Sequence, residues 1–258
     1  EPLVRSYLSQ FLLEAADTKE FEPFIQSDYL KNLFAEVKLV NGLGDNERFV
    51  SMLQPEQFKA LKDRVDLDFM PSNATVFEAD AEVGLDVAIK NVQTLFIKIF
   101  EINTKSHYRI HLSEINTDIT LDGLTPNIEL SIAYEDDPLR RVVRHFNFPQ
   151  LSKPGIYVVD FIGNGRSSRA ILRKGRLKQL VHAGPAGQVF TIFNDSGVVI
   201  KDATLWLSGQ EYQSAEDGLI TVPYSTSPGR QPIVISAPWK GKDQPVAGLK
   251  TEYSSLEY

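Results

Sequence analysis

Hydrophobic spacing divides the chain into a helical stretch followed by a longer stretch of strands. Over residues 1–70 the apolar positions repeat at helix spacing. Leu8, Phe11, Leu12 and Ala15 fall on one face of a first helix. Leu30, Leu33, Phe34 and Val37 do the same in a second, for which Ser27 is a suitable N-cap. The run NGLGDN ends that helix. Asp45 can cap a short helix through Phe49, Val50 and Leu53, and Pro55 stands at a favoured first-turn position before Phe58, Leu61 and Val65. The pattern predicts a small unit of three or four helices.

The periodicity changes at MPSNAT, where Pro, Ser and Asn mark a boundary. Residues 75–77 read as a short strand. Leu85, Val87 and Ile89 alternate with Asp86, Ala88 and Lys90 as in a half-buried strand. LFIKIFEI, residues 95–102, is apolar on nearly both faces, which places it centrally in a sheet. A turn at Asp122-Gly123 precedes strands over 128–134 and 140–148. Turn signals recur about every 10–15 residues and no long helix fits between them, which favours antiparallel sandwiches over a βαβ fold.

The stretch GIYVVDFIGNGRSSRAILRKGRLK combines a Gly-x-Gly with two serines and a run of bases. A phosphate loop needs a helix directly after its glycines, and no such helix fits before Lys174-Gly175. Tyr157, Val159 and Phe161 alternate on one strand and Ala170 and Leu172 on the next, so Gly163-Asn164-Gly165 reads as a hairpin turn. A second β unit follows from about Gly175. It has strands over 188–193, 203–207, 219–224 and 232–239, turns at 194–197, 208–209 and 216–218, and a loop at 241–248; its last residues form an edge strand or a tail. The expected architecture is mainly β: a helical unit over residues 1–72, then two tandem antiparallel Ig-like sandwiches over 73–176 and 177–258.

Composition narrows the function without naming it. With 258 residues, 42% hydrophobic and 24% charged, the chain can bury substantial cores. A net charge of −7 disfavours nucleic acid and anionic membranes as partners of the whole surface. Without cysteine there are no disulfides, thiolate metal sites or Cys nucleophiles. That absence does not exclude the cytoplasm. No apolar run approaches membrane-spanning length, so no membrane insertion is expected. The first residue is Glu1, without a signal-peptide pattern, as expected of a piece of a longer or processed protein.

The order GQVFTIFNDSGVVIKDATLWLSGQEYQSAEDGLITVPY resembles Ig-like or prealbumin-like modules, such as carboxypeptidase-regulatory domains and the macroglobulin domains of alpha-2-macroglobulin-like proteins. VAIKNVQTLFIKIFEINT and FNFPQLSKPGIYVVDF are similar to strands of macroglobulin domains, and the likeness runs over residues 73–258. The helical residues have no counterpart in such a domain. The resemblance implies a scaffold within a larger secreted or periplasmic protein, contacting its other domains or another protein. The thioester of that family requires a cysteine, so its chemistry is not expected, and no catalytic residue carries over.

Candidate chemistry is sparse. His107 and His111 would form a metal-ligand pair on a helix. SHYRIHLSEI reads as extended, however, which sets them about 13 Å apart and yields no metal site. The acids Glu78, Asp80, Glu82 and Asp86, and Glu135, Asp136 and Asp137, show no EF-hand spacing and read as solvated turns. Arg166, Arg169, Arg173, Lys174, Arg176 and Lys178 either dock an acidic partner or protect a strand edge. Trp206, Trp239, Tyr212 and Tyr224 either fill a core or form an aromatic ligand face. Asn73 and Asn194 stand in glycosylation sequons. No cofactor and no enzymatic activity are expected. The leading expectation is a non-catalytic structural and protein-interaction segment; the alternative is an accessory carbohydrate-binding module attached to an enzyme.

Overall fold

The computed structural model describes residues 2–226, 229–240 and 247–257. Four helices come first: α1 (Pro2–Glu14), α2 (Ser27–Asn41), α3 (Asn46–Ser51) and α4 (Pro55–Asp63). Leu8 and Leu12 of α1 meet Leu30, Leu33, Phe34 and Val37 of α2, with Phe49 and Leu61 closing the cluster. Ser27 is the first helical residue rather than the N-cap. Gln26 takes the cap position without a side-chain bond, so α2 starts on packing. Its end is sharply specified. Gly42 adopts the left-handed conformation at φ +62°, and a Cβ there would fall 0.8 Å from Arg140 Nη1. Asp45 caps α3 by accepting from the Glu47 backbone, and Pro55 begins α4.

Two sandwiches follow. The first joins a three-stranded sheet, β1 (Asp66–Phe69), β3 (Gly84–Lys90) and β6 (Arg141–Asn147), to a five-stranded one. That larger sheet runs β2 (Val76–Phe77), β8 (Arg166–Lys174), β7 (Gly155–Gly163), β4 (Thr94–Ile102) and β5 (Ile128–Ala133). Pairing is antiparallel apart from β2 on β8. Residues 66–69, which helix spacing covers and which precede the boundary expected at residue 72, pair with β3, so this sandwich begins earlier in the chain. Leu85, Val87 and Ile89 face Leu95, Ile97, Ile99, Tyr157, Val159, Phe161 and Leu172 across its core. The hairpin β7–β8 has a two-residue loop with positive φ at Asn164 and Gly165. Gly163 serves otherwise: a Cβ there would lie 2.5 Å from Val92 Cγ1.

The second sandwich packs β13 (Leu219–Val222), β10 (Gly187–Phe193) and β9 (Lys178–Gly184) on a second sheet. That sheet is β12 (Gln210–Gln213), β11 (Thr204–Leu207), β14 (Arg230–Lys240) and β15 (Ala247–Glu257). Phe190, Ile192, Leu205, Ile220, Ile233 and Ile235 fill it. Of the loop expected at 241–248, residues 241–246 lie outside the described residues and 247–248 belong to β15.

A fifth helix, α5 (Thr104–His111), lies where extended chain is expected. Asn103 caps it by accepting from the Ser106 backbone at 3.1 Å. Among the described residues, no helix is long and apolar enough to cross a membrane.

Candidate interaction surface

The central strands of the larger first-sandwich sheet are apolar on both faces because both faces are covered. Phe100, Ile156, Val158 and Ile171 point away from the first core. They pack with Tyr108, Ile115 and Val234, while Trp206 and Tyr253 pack against them. This seam joins the two sandwiches, with α5 wedged into it. Polar contacts fix the wedge. Glu211 accepts from Arg109 at 2.8 Å and Lys105 at 3.1 Å, and these bonds bring its carboxyl down to about 2. Arg109 lies over the Trp206 ring, and Tyr253 Oη donates to the Leu112 carbonyl at 2.7 Å. Lys250 pairs with Asp195 at 2.8 Å from a nearly buried position. Burial pushes the Tyr108 phenol well above its ordinary range, with Glu114 adding to the effect.

A second joint ties the helical unit to the first sandwich. Lys90 is 1% exposed, and its ammonium donates to the carbonyls of Leu61 at 2.5 Å and Arg64 at 2.8 Å. These groups lie at the C-terminal end of α4, where a cation meets the negative pole of the helix. Burial lowers the Lys90 pKa, with Arg64 as the next cause. Glu36 accepts from both Arg64 and Arg5. Burial alone would raise its carboxyl, but the two arginines outweigh it and hold it below its usual range.

Away from these joints, α1 carries an open apolar surface. Leu3, Val4, Tyr7 and Phe11 on α1 are between 63% and 67% exposed, and Phe24 nearby in sequence is 85% exposed. Leu3, Tyr7 and Phe11 are spaced four apart and form one stripe. The sequence pattern set Phe11 on the inner face with Leu8 and Leu12; the structure turns it outward, where its ring lies 6.4 Å from that of Phe21. An apolar helix face wider than the core covers leaves a stripe for another contact, and contiguous exposed apolar patches mark interaction sites. In PLVRSYLSQFLLE the residues Leu3, Val4, Tyr7, Leu8, Phe11 and Leu12 make an apolar face broader than one core contact needs, which was the available signal.

The basic set does not gather into one free face. Arg169 donates to the carbonyls of Thr117 and Ile119, and Arg173 to Glu114 and the Ile115 carbonyl. Both pin the segment after α5 onto β8. Lys174 is buried and donates to the Ala81 and Leu151 carbonyls, and Arg176 pairs with Glu252 at 3.1 Å. Arg166 and Lys178 make no ion pair among the described residues. The four aromatics are also dispersed. Trp206 faces the seam, whereas Tyr212 packs on the second core from the opposite side of the same sheet. Trp239 is half-buried opposite Gly248, and Tyr224 donates to the Gly184 carbonyl.

His107 and His111 do not lie on a strand; α5 brings their ring centroids to 4.4 Å. Burial, then His111, lowers the His107 pKa. Among the described residues no three His, Asp or Glu side chains converge on a common point. Asp86 binds His145, and Asp136 binds Arg144. Both sequon asparagines are engaged: Asn73 pairs with the Asp86 backbone, and the Asn194 side chain accepts from the Val198 backbone.

Comparison with known proteins adds a direction. Residues 1–65 match the family described as actin-binding protein F N-terminal domain, and residues 95–175 match the AbpF first immunoglobulin-like domain. Actin-binding protein F of Dictyostelium discoideum is 36% identical over 240 residues, which is 92% of this chain and 10% of that protein. A crystal structure of native alpha-2-macroglobulin from Escherichia coli, spanning its MG0-NIE-MG1 domains, is 14% identical with a TM-score of 0.47. The match covers 75% of this chain and 64% of that one. A chimeric titin Z1Z2 tandem is 13% identical with a TM-score of 0.35, covering 74% and 98%. The chain is thus similar along most of its length to actin-binding protein F, while spanning about a tenth of that protein.

Proposed function

We propose that this chain is a non-catalytic protein-interaction segment of a longer protein, and that its partner is the actin filament. The observation that carries the reading is the exposed apolar stripe of Leu3, Tyr7 and Phe11 on α1, within the residues that match the actin-binding protein F N-terminal domain. The helical unit, taken to end near residue 65, is the docking element. The two sandwiches form a macroglobulin-like scaffold that holds it, and the seam sets their relative angle.

Contact through an apolar stripe predicts weak dependence on salt, since screening acts on charges and not on buried apolar area. Docking through Arg166 to Lys178 predicts the reverse. The test is co-sedimentation of the 258-residue chain with actin filaments at low and high ionic strength. Saturable pelleting that survives high salt supports the α1 surface. Pelleting abolished by salt moves the contact to charged residues, and absence of pelleting at both refutes actin as the partner.

A further inference from the structure

The cleft beside α5 holds two side chains that neither joint uses. His107 and His111 lie one turn apart, with centroids 4.4 Å apart and rings inclined by 35°. Both line a cleft of about 580 Å³. Neither imidazole has a hydrogen-bond partner among the described residues, so their ring nitrogens are free to bind a ligand. The helix beneath them is held firmly. Asn103 caps it, Tyr108 is buried against Tyr253 with centroids 5.4 Å apart, and Lys105 and Arg109 grip Glu211 from another side. Glu101 and Asp118 line the same cleft and give it negative charge, which draws cations toward it.

We propose that His107 and His111 together chelate one divalent transition-metal ion, with water completing its coordination. Two imidazoles at i and i+4 on one helix face share a metal, and imidazole favours Zn²⁺, Ni²⁺ or Cu²⁺ over Mg²⁺ or Ca²⁺. Glu114 is held by Arg173 at 2.7 Å, so the site has two protein ligands and keeps open positions. Such an open site suits a bridging ion, because a further ligand can come from another molecule. This proposal does not depend on the actin reading.

The test is calorimetric titration of the whole chain with ZnCl₂ and NiCl₂, with MgCl₂ as control. One saturable site is expected for zinc and nickel and none for magnesium. His107→Ala and His111→Ala should each weaken it by an order of magnitude or more, while His145→Ala and His182→Ala leave it unchanged. A second readout needs no variant: trace Cu²⁺ should broaden the imidazole NMR signals of His107 and His111 before those of the other two histidines. Absence of saturable zinc or nickel binding overturns the proposal. So does equal binding by the His107→Ala/His111→Ala variant, or first broadening at His145 or His182.

Discussion

Lys90 shows how one side chain can join two modules. Its ammonium is buried, yet its hydrogen bonds go to the last carbonyls of α4, groups that a helix end leaves unpaired. Replacing Lys90 with Met keeps the apolar stem and strands those carbonyls. Bonds to a charged donor contribute about 1.5–3 kcal/mol, so Lys90→Met should destabilise the chain by about 2 kcal/mol in urea unfolding. A change within measurement error would show that the ammonium's own desolvation cancels its bonds. His145 behaves in the opposite way. Its two ring nitrogens meet Asp86 Oδ1 at 2.7 Å and Asn147 Oδ1 at 2.8 Å, an arrangement that favours the doubly protonated ring. The bond to Asp86, then that to Asn147, raises its pKa. The resulting stabilisation is complete below the ordinary histidine value and is lost as pH rises through the higher folded value. Proton NMR should place the His145 midpoint above about 6.5, and Asp86→Asn should lower it. An unshifted midpoint in the native chain would contradict the geometry.

At the scale of elements, α5 carries the most structural consequence per residue. Its sequence, TKSHYRIH, is short and mixes β-branched, aromatic and basic residues, so propensity alone gives it little support. The helix was nevertheless partly legible. Asn103 is a cap residue, Thr104 and Tyr108 recur at i and i+4 to form its buried face, and Lys105 and Arg109 recur likewise toward Glu211. What the sequence could not supply is Glu211 itself, more than a hundred positions away, whose contact makes the short helix worth forming. The same reason explains β9: its half-polar pattern becomes a strand only because β10 pairs with it. By contrast β4, β7 and β8 were readable, since alternation and two-sided apolarity are local properties. Because the Glu211 carboxyl is lowered from 4.5 to about 2, its contribution is present above 4.5 and lost as pH falls from there through about 2. The seam should therefore loosen over that acidic window, and Glu211→Gln should loosen it at neutral pH. The absence of native cysteine permits a direct readout. Spin labels on Ser131→Cys and Gln213→Cys, one per sandwich, should give a broadened distance distribution in the Glu211→Gln background. An unchanged distribution would show that the apolar seam suffices.

At the scale of the molecule, two joints turn three modules into one framework, and the open α1 stripe stands apart from both. The division into a helical unit and two sandwiches was legible because the hydrophobic period changes near residue 70. The exposed α1 stripe was not read from that period. Helix spacing groups Phe11 with Leu8 and Leu12, and only the observed packing shows that Leu8 and Leu12 are buried while Phe11 and Tyr7 are left exposed. The basic residues from Arg166 to Lys178 illustrate the converse. Their clustering in sequence leaves a docking strip and a protected strand edge both open, and partners from distant segments occupy four of the six. Since Leu3, Tyr7 and Phe11 are exposed, replacing all three with Ser should leave the unfolding transition nearly unchanged, to within about 0.5 kcal/mol per site.

The most direct test of the central claim compares the native chain with the Leu3→Ser/Tyr7→Ser/Phe11→Ser variant in actin-filament co-sedimentation at physiological salt. The account predicts saturable pelleting of the native chain and loss of most of it in the variant, with both equally folded by circular dichroism. Equal pelleting of the two would contradict it and place the actin contact elsewhere on the molecule.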